Sequence, residues 1–417
     1  MRDKILNFSF FFFAFLMPFQ GIPKVNLGGI EVRPGVFFAL PIWGHILFNF
    51  KKFSKSIRSL FSLSSTRSIL IFSILTFVIT FINQIDTRSI GFLFWLVLSV
   101  SLHFYAGIIK NDWIIKGLLF GQIFNLFYIP LMFFKGEEII TYAGKIRAYG
   151  LMGEPSYLAI ALVPLLIFVN QLKDKKLLLG LKLLIYFGLL FSFSRTALIG
   201  VLFVLIVELI LYRKNYFLFS LSPFILILIF SLTYNPHFYG IRLEPVKLNE
   251  KNEKIKVVQK KKIPPHLRGY EEGTPPILAG STKQRLLSLE RGLILFKERP
   301  FGVGLGNSHR ELKKRFVEYT YWRNFPKNER WKARIDGLHN LFLEVAVETG
   351  VFGLLAFLMF LFFMAKDLFL FKLYNELAMF LGMLLTMQFA QNVNMPTMWI
   401  ILSHCLVQIQ KKVSVES

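Results

Sequence analysis

The chain is poor in the residues that staple or arm a soluble enzyme. Its single cysteine, Cys405, sits in a late apolar segment, so no internal disulfide can form and cysteine usage does not report the compartment. Histidine is sparse. His45, His103 and His404 stand alone in apolar runs, and His237, His266 and His309 lack paired ligand spacing, so no metal site is expected. Charged residues make up only 18% of the chain, against about 25% in a typical soluble domain. Acidic residues are the scarcer sign, 25 against 49 Lys and Arg, for a net charge of +24. No stretch repeats at a fixed period. Apolar residues are abundant at 54%, with 48 phenylalanines, which is the composition of an integral membrane protein. The basic excess suits an anionic lipid surface, and no nucleic-acid partner is expected.

Runs near the roughly 20 apolar residues that a helix needs to cross a bilayer number about twelve. They cover residues 5–21, 35–50, 69–85, 90–109, 113–134, 156–172, 177–193, 196–212, 216–233, 339–364, 373–389 and 398–409. Met1-Arg2-Asp3-Lys4 and the apolar residues after it have the parts of a signal peptide, but no small-residue cleavage pattern follows, so an uncleaved first helix is expected. The fold class is therefore an all-α integral membrane protein of about 12 transmembrane helices with a large, partly helical extracytoplasmic loop. Residues 1–233 would hold nine helices, 234–338 the loop, and 339–417 three helices and a short tail.

Basic residues orient the set. Lys51, Lys52, Lys55 and Arg58, then Lys110, Lys173 to Lys176, Arg213 and Lys214, Lys366 and Lys372, and Lys411 and Lys412 fall on one side when twelve helices alternate. By the positive-inside rule that side is cytoplasmic, with both termini there and the alternate connections outside. The outer segment 234–338 is itself basic, but the rule counts short loops and long domains cross regardless of charge. Its first half, with Lys260-Lys261-Lys262 and two Pro-Pro pairs, reads as irregular. Its second half has helical spacing at Leu286, Leu289, Leu293 and Phe296, a break at Arg299-Pro300, and a second helix over residues 308–319.

The stretch from Asp336 to Gly353 joins that loop to an apolar helix and carries His339, Asn340, Glu344 and Glu348. Both carboxylates fall one turn apart on the side of Asn340, and carboxylates on a membrane helix are costly unless they face a protein interior or a water-filled cavity. Arg195 ends Phe191-Ser192-Phe193-Ser194 at an outer helix end, Arg285 opens the amphipathic helix of the outer loop, and Arg147 precedes Gly153-Glu154-Pro155-Ser156-Tyr157. Guanidinium is always charged and presents a planar fork of donors to phosphate oxygens. Each of these residues also has a plainer role: an arginine snorkelling to lipid, a solvated face, a histidine satisfied at a helix start. The Gly302, Gly304 and Gly306 run follows no strand, so a tight turn is expected rather than a dinucleotide site. Gly350 and Gly353 are expected to permit close helix packing.

His339-Asn340, then nine residues, then Gly350-Val351-Phe352-Gly353 resembles the histidine motif of the O-antigen ligase and polymerase family of bacterial envelope proteins. Arg285 upstream of Pro300-Phe301-Gly302-Val303-Gly304-Leu305-Gly306-Asn307 is similar to that family's arginine and glycine turn, and Ser194-Arg195-Thr196-Ala197 resembles its serine-arginine element. The elements stand in the family's order over roughly residues 145–365.

The resemblance implies a metal-independent, inverting glycosyltransferase that uses no cofactor and works on the outer face of the bacterial inner membrane. The donor would be a glycan on undecaprenyl diphosphate, and the acceptor lipid A core, another glycan or a protein hydroxyl. His339 would be the catalytic base, and Arg195, Arg285 and Arg147 would bind the diphosphate. Glu154, Asn340, Glu344, Glu348, Gly302 and Gly304 would support them. Ile199 stands where ligases tend to have leucine, and Gly153 to Tyr157 looks like a polymerase motif, so ligase and polymerase both stay open. The rival from another class is a polytopic transporter or flippase, which predicts corresponding halves with broken helices and ionisable groups near mid-membrane. Here the halves do not correspond, and the polar candidates gather at outer helix ends.

Overall fold

A computed structural model describes residues 2–19, 25–27, 30–83, 85–135, 150–152, 155–192, 194–211, 221, 224–225, 229, 278–316, 337–388 and 395–416. The described chain is helical apart from a short antiparallel hairpin that pairs Val25–Leu27 with Ile30–Val32. We number the described α-helices in chain order: α1 Arg2–Leu16, α2 Ala39–Asn49, α3 Ser54–Ser62, α4 Ser64–Ile82, α5 Thr87–Ile109, α6 Trp113–Lys135, α7 Pro155–Phe168, α8 Lys175–Phe191, α9 Arg195–Leu211, α10 Leu278–Glu298, α11 Ser308–Arg315, α12 Leu341–Leu370, α13 Tyr374–Met387 and α14 Pro396–Glu416. Eleven of the twelve apolar runs read from the sequence fall on these helices, and the run at 216–233 lies almost wholly outside the described residues. Four helices are long and apolar enough to cross a membrane: Ser64–Ile82, Thr87–Ile109, Trp113–Leu131 and Leu341–Leu370.

Close helix contacts rest on small residues, as expected where apolar lipid supplies no drive for helices to associate. Gly117 and Gly121, four apart on α6, let its backbone meet α1. A Cβ on Gly121 would lie 2.7 Å from the Phe15 carbonyl oxygen, and one on Gly117 would strike that of Phe11. On α4 the hydroxyls of Ser68, Ser73, Thr76 and Thr80 donate to the carbonyls four residues back, so their polar hydrogens are satisfied inside the helix.

Paired contacts fix how the helices run. On α4 and α12, Ser65 Oγ donates to Asp367 Oδ2 (2.7 Å) at one end and Phe72 packs on Phe357 at 5.1 Å, so the two are antiparallel. His103 faces Ser403 and Gly107 abuts Leu406, so α5 and α14 are parallel. Gln171 Nε2 donates to Glu376 Oε1 (3.2 Å) while Val163 lies against Gly382, so the segment of α7 is antiparallel to α13. Gly200 sits beside Thr386 and Gly382 beside Phe203, which makes α9 antiparallel to α13 as well. Far from the start of α9, Glu208 pairs with Lys182 Nζ at 2.7 Å, both side chains fully buried, and accepts from Asn170 Nδ2.

Candidate active site

The helix that carries the histidine motif is broken. Gly350, in the middle of α12, has φ 68° and ψ −172°, a left-handed conformation that glycine adopts without penalty. A residue with those angles interrupts the hydrogen-bond ladder and leaves backbone groups on either side without helical partners. The glycine-rich loop between α10 and α11 supplies them. Val303 N–H donates to the Val347 carbonyl (3.0 Å), Gly304 N–H to the Glu348 carbonyl (2.9 Å), and Val351 N–H to the Pro300 carbonyl (2.8 Å). Gly302, Gly304 and Gly306 have φ of 90°, 89° and 79°, so the expected tight turn is present. The turn also lies backbone on backbone against the break: a Cβ on Gly302 would lie 2.7 Å from both the Glu348 oxygen and the Gly350 nitrogen. Gly350 therefore does more than let two helices pack, because a Cβ there would strike the Phe301 carbonyl.

Glu348 faces this loop from within the protein, at 2% exposure. Its Oε1 accepts from Ser308 Oγ at 2.7 Å, and the backbone N–H groups of Gly306 and Ser308 also donate to the carboxylate. The other side of the loop is gripped by the turn between α4 and α5. Leu305 N–H donates to Thr80 Oγ1 (3.0 Å), Ser89 Oγ to Asn307 Oδ1 (2.9 Å), and Arg310 pairs with Asp86 at 3.0 Å. Burial alone would raise the Asp86 carboxyl. Donation from the Ser89 N–H and hydroxyl, the Arg310 charge and the Arg88 N–H outweigh it, and the group sits below the ordinary aspartate range. The loop is thus wedged between the α4–α5 turn and the α12 break.

His339 lies just before this assembly. It is half-buried with φ 50°, an uncommon conformation for a non-glycine residue. Asn340 follows as the N-cap of α12, its Oδ1 accepting from Leu343 N–H at 2.9 Å. From the other side Asn340 Nδ2 donates to the Gln388 side-chain oxygen (3.3 Å) at the end of α13. A small separate core seats the segment: Leu338, Leu343 and Val347 pack with Leu295, Val303, Leu312 and Phe316. Gly292 brings α10 close, since a Cβ on it would lie 2.6 Å from both Leu338 and Leu343. Arg285, half-buried, is two turns earlier on that same helix.

Helix register brings two further elements to this end. From Gly200, beside Thr386, five residues of α9 lead back to Arg195, and from Val163, beside Gly382, eight residues of α7 lead back to Pro155. At 1.5 Å per residue both helix starts come level with Gln388 to within about 5 Å along the axis. The N-termini of α7, α9 and α12 therefore share one end of the bundle, and the backbone of Arg195 with them. Arg147 and Glu154 lie outside the described residues, as does Asp336. Glu344 is buried on the first half of α12, at 7% exposure. Thr80, Asp86, Ser89, Arg310 and Gln388, which hold the loop and the histidine segment, carry no catalytic or binding motif that marks them in the sequence. Asp86-Thr87-Arg88-Ser89 carries a readable signal, an aspartate N-cap three residues before a serine whose N–H it accepts at 2.8 Å.

Residues 180–358 match the family model described as O-antigen ligase. Over those residues, somewhat under half of its length, the chain is similar to the O-antigen ligase family. That stretch contains Arg195, Arg285, the glycine loop, His339 and the α12 break, whereas the α4–α5 turn and Gln388 that brace them lie outside it. No curated protein matches the chain. The O-antigen ligase family implies membrane glycosyltransferase activity of the ligase or polymerase type, and the apolar helices agree with an integral membrane protein.

Proposed function

We propose that this protein transfers a glycan from undecaprenyl diphosphate to an acceptor hydroxyl at the His339 end of the bundle, outside the inner membrane, with inversion and without metal. The observation that carries this reading is the meeting of three helix N-termini at the His339 segment, two of them, those of α9 and α12, within the residues that match the O-antigen ligase family. Each helix start carries the positive end of its dipole, a setting that favours a diphosphate. Arg195 opens one of these helices and Arg285 lies on the helix packed against His339, so both are suited to hold the leaving group and stabilise the charge that develops on it. Arg147 would join them from the connection that leads into α7.

In the reaction the acceptor oxygen bonds to the anomeric carbon as the bond from that carbon to the diphosphate oxygen breaks. The acceptor proton passes to the His339 imidazole, and undecaprenyl diphosphate leaves as the anion. A hydroxyl is a weak nucleophile, so a positioned base contributes about 10²–10⁴-fold. Glu348 and the glycine loop act on the base indirectly, by fixing the break at Gly350, about three turns after it.

The test is a reconstituted assay in proteoliposomes given an undecaprenyl-diphosphate oligosaccharide alone or with lipid A core. A glycan ladder from donor alone assigns a polymerase, and core-dependent transfer assigns a ligase. If folded protein with a matched donor forms neither product, the reading fails.

A further inference from the structure

The helix α10 carries an apolar stripe that is exposed among the described residues. One face is buried: Ser288, Arg291, Gly292 and Leu295 turn toward the His339 segment. On another face Leu286, Leu289 and Leu293 are 60%, 37% and 45% exposed, spaced three and four residues apart so that they form one line. The line leads to Phe301, 68% exposed, which stacks on Phe352 at 6.1 Å. Phe352 begins the outward face of α12, where Leu355, Met359 and Phe362 are exposed at the same helical spacing on a span long enough to cross the bilayer. The exposed stripe of α10 thus runs toward the exposed apolar face of α12, around the corner made at Pro300. Basic side chains border it: Lys297 and Arg299 at the helix end, and Lys313, Lys314 and Arg315 in the last turn of α11, with Arg315 paired to Glu298 at 2.9 Å. Apolar residues on one side and basic residues at the edge are what a helix in the headgroup layer presents.

We propose that α10 lies in the surface of the outer leaflet, its Leu286, Leu289 and Leu293 stripe in lipid, and that the partner of this face is the bilayer itself. Because the opposite face of α10 seats Leu338 and Leu343 on either side of His339, the lipid contact sets the depth of the histidine segment and of Arg285 at the headgroup level. A polyprenyl-linked phosphate lies at that level too. The proposal rests on the membrane reading of the chain and does not depend on the transferase chemistry.

Spin labels tell lipid from water and from a protein interface. The full chain would be labelled in lipid nanodiscs at Leu286→Cys, Leu289→Cys or Leu293→Cys, with Lys372→Cys, exposed in the connection after α12, as the water-facing control; Cys405 is fully buried. Collision with oxygen, which concentrates in lipid, is expected to exceed collision with a water-soluble nickel chelate at the three leucine positions and to fall below it at position 372. A higher nickel than oxygen signal at the leucines would place the stripe in water and overturn the proposal. Weak collision with both reagents would mean that a second copy or another protein covers the stripe, and would overturn it equally. Either result leaves the glycan assay free to succeed or fail independently.

Discussion

Glu348 shows how a residue that looks catalytic in sequence acquires another role in the fold. An acid on an apolar helix one turn from Glu344 invites a chemical reading, yet its carboxylate is filled by the Ser308 hydroxyl and by the N–H groups of Gly306 and Ser308. Removing a buried acceptor that holds several donors costs about 1–3 kcal/mol. Glu348→Gln is therefore expected to lower thermal stability and transfer rate together, and Glu348→Gln combined with Ser308→Ala should cost less than the sum of the two single changes. Additive effects in that double-mutant cycle would contradict the clamp.

Asp86 gives a pH signature. Its carboxyl is held below the ordinary aspartate value, so its contribution to stability is full above about pH 4 and is lost as pH falls through the lower folded value. The stability gap between the parent and Asp86→Asn, followed by thermal unfolding against pH, should stay constant near neutrality and close on the acid side. A gap that widened toward acid would contradict the assignment.

Among the elements, the glycine loop and the α12 break explain each other. From sequence the 302–306 run was legible as a turn and the 350–353 pair as a place of small residues, because both follow from what glycine lacks. That the loop donates to the carbonyls the break exposes was not legible, since the partners lie more than 40 residues apart and exist only once Gly350 takes a positive φ. The bracing turn at Thr80 to Ser89 is not legible for a related reason: a few polar residues between two apolar helices look the same whether they hold something or merely meet water.

The pairing makes a contrast available. Gly350→Ala places a Cβ against the Phe301 carbonyl at a left-handed backbone, a strain of about 1–3 kcal/mol before any clash is counted. It is expected to abolish transfer and lower the melting temperature. Gly180→Ala, on α8 where a Cβ would meet nothing, is expected to be neutral or to stabilise by about 0.5–1 kcal/mol. Equal melting temperatures for the two variants would show that the break does not need its glycine.

At the scale of the molecule, the two ends of the helix set differ in kind. One end gathers helix starts, the glycine loop and His339, whereas away from it the set is tied by polar pairs such as Lys182 with Glu208 and Lys411 with Asp112. Hydropathy made the helices legible, but a buried lysine inside an apolar run could not be matched to its glutamate 26 residues later without the packing. Breaking a fully buried pair by removing one partner costs about 3–5 kcal/mol, while replacing both with apolar residues of similar size is often neutral. Lys182→Met is accordingly expected to destabilise, and Lys182→Met with Glu208→Leu to recover most of the loss in thermal unfolding. A double variant no better than the single would show that the pair fixes α8 against α9 in a way that apolar packing cannot replace.

The central claim is that the His339 end of this assembly is where a lipid-linked glycan changes hands, and it is tested most directly by the transfer rate of His339→Gly in proteoliposomes. Glycine keeps the positive φ of that position, so the backbone there is not strained by the change, and thermal unfolding of the variant separates lost chemistry from lost folding. The account predicts parent-like thermal stability with transfer lowered about 10²–10⁴-fold. Transfer at the parental rate from the same folded variant would contradict it.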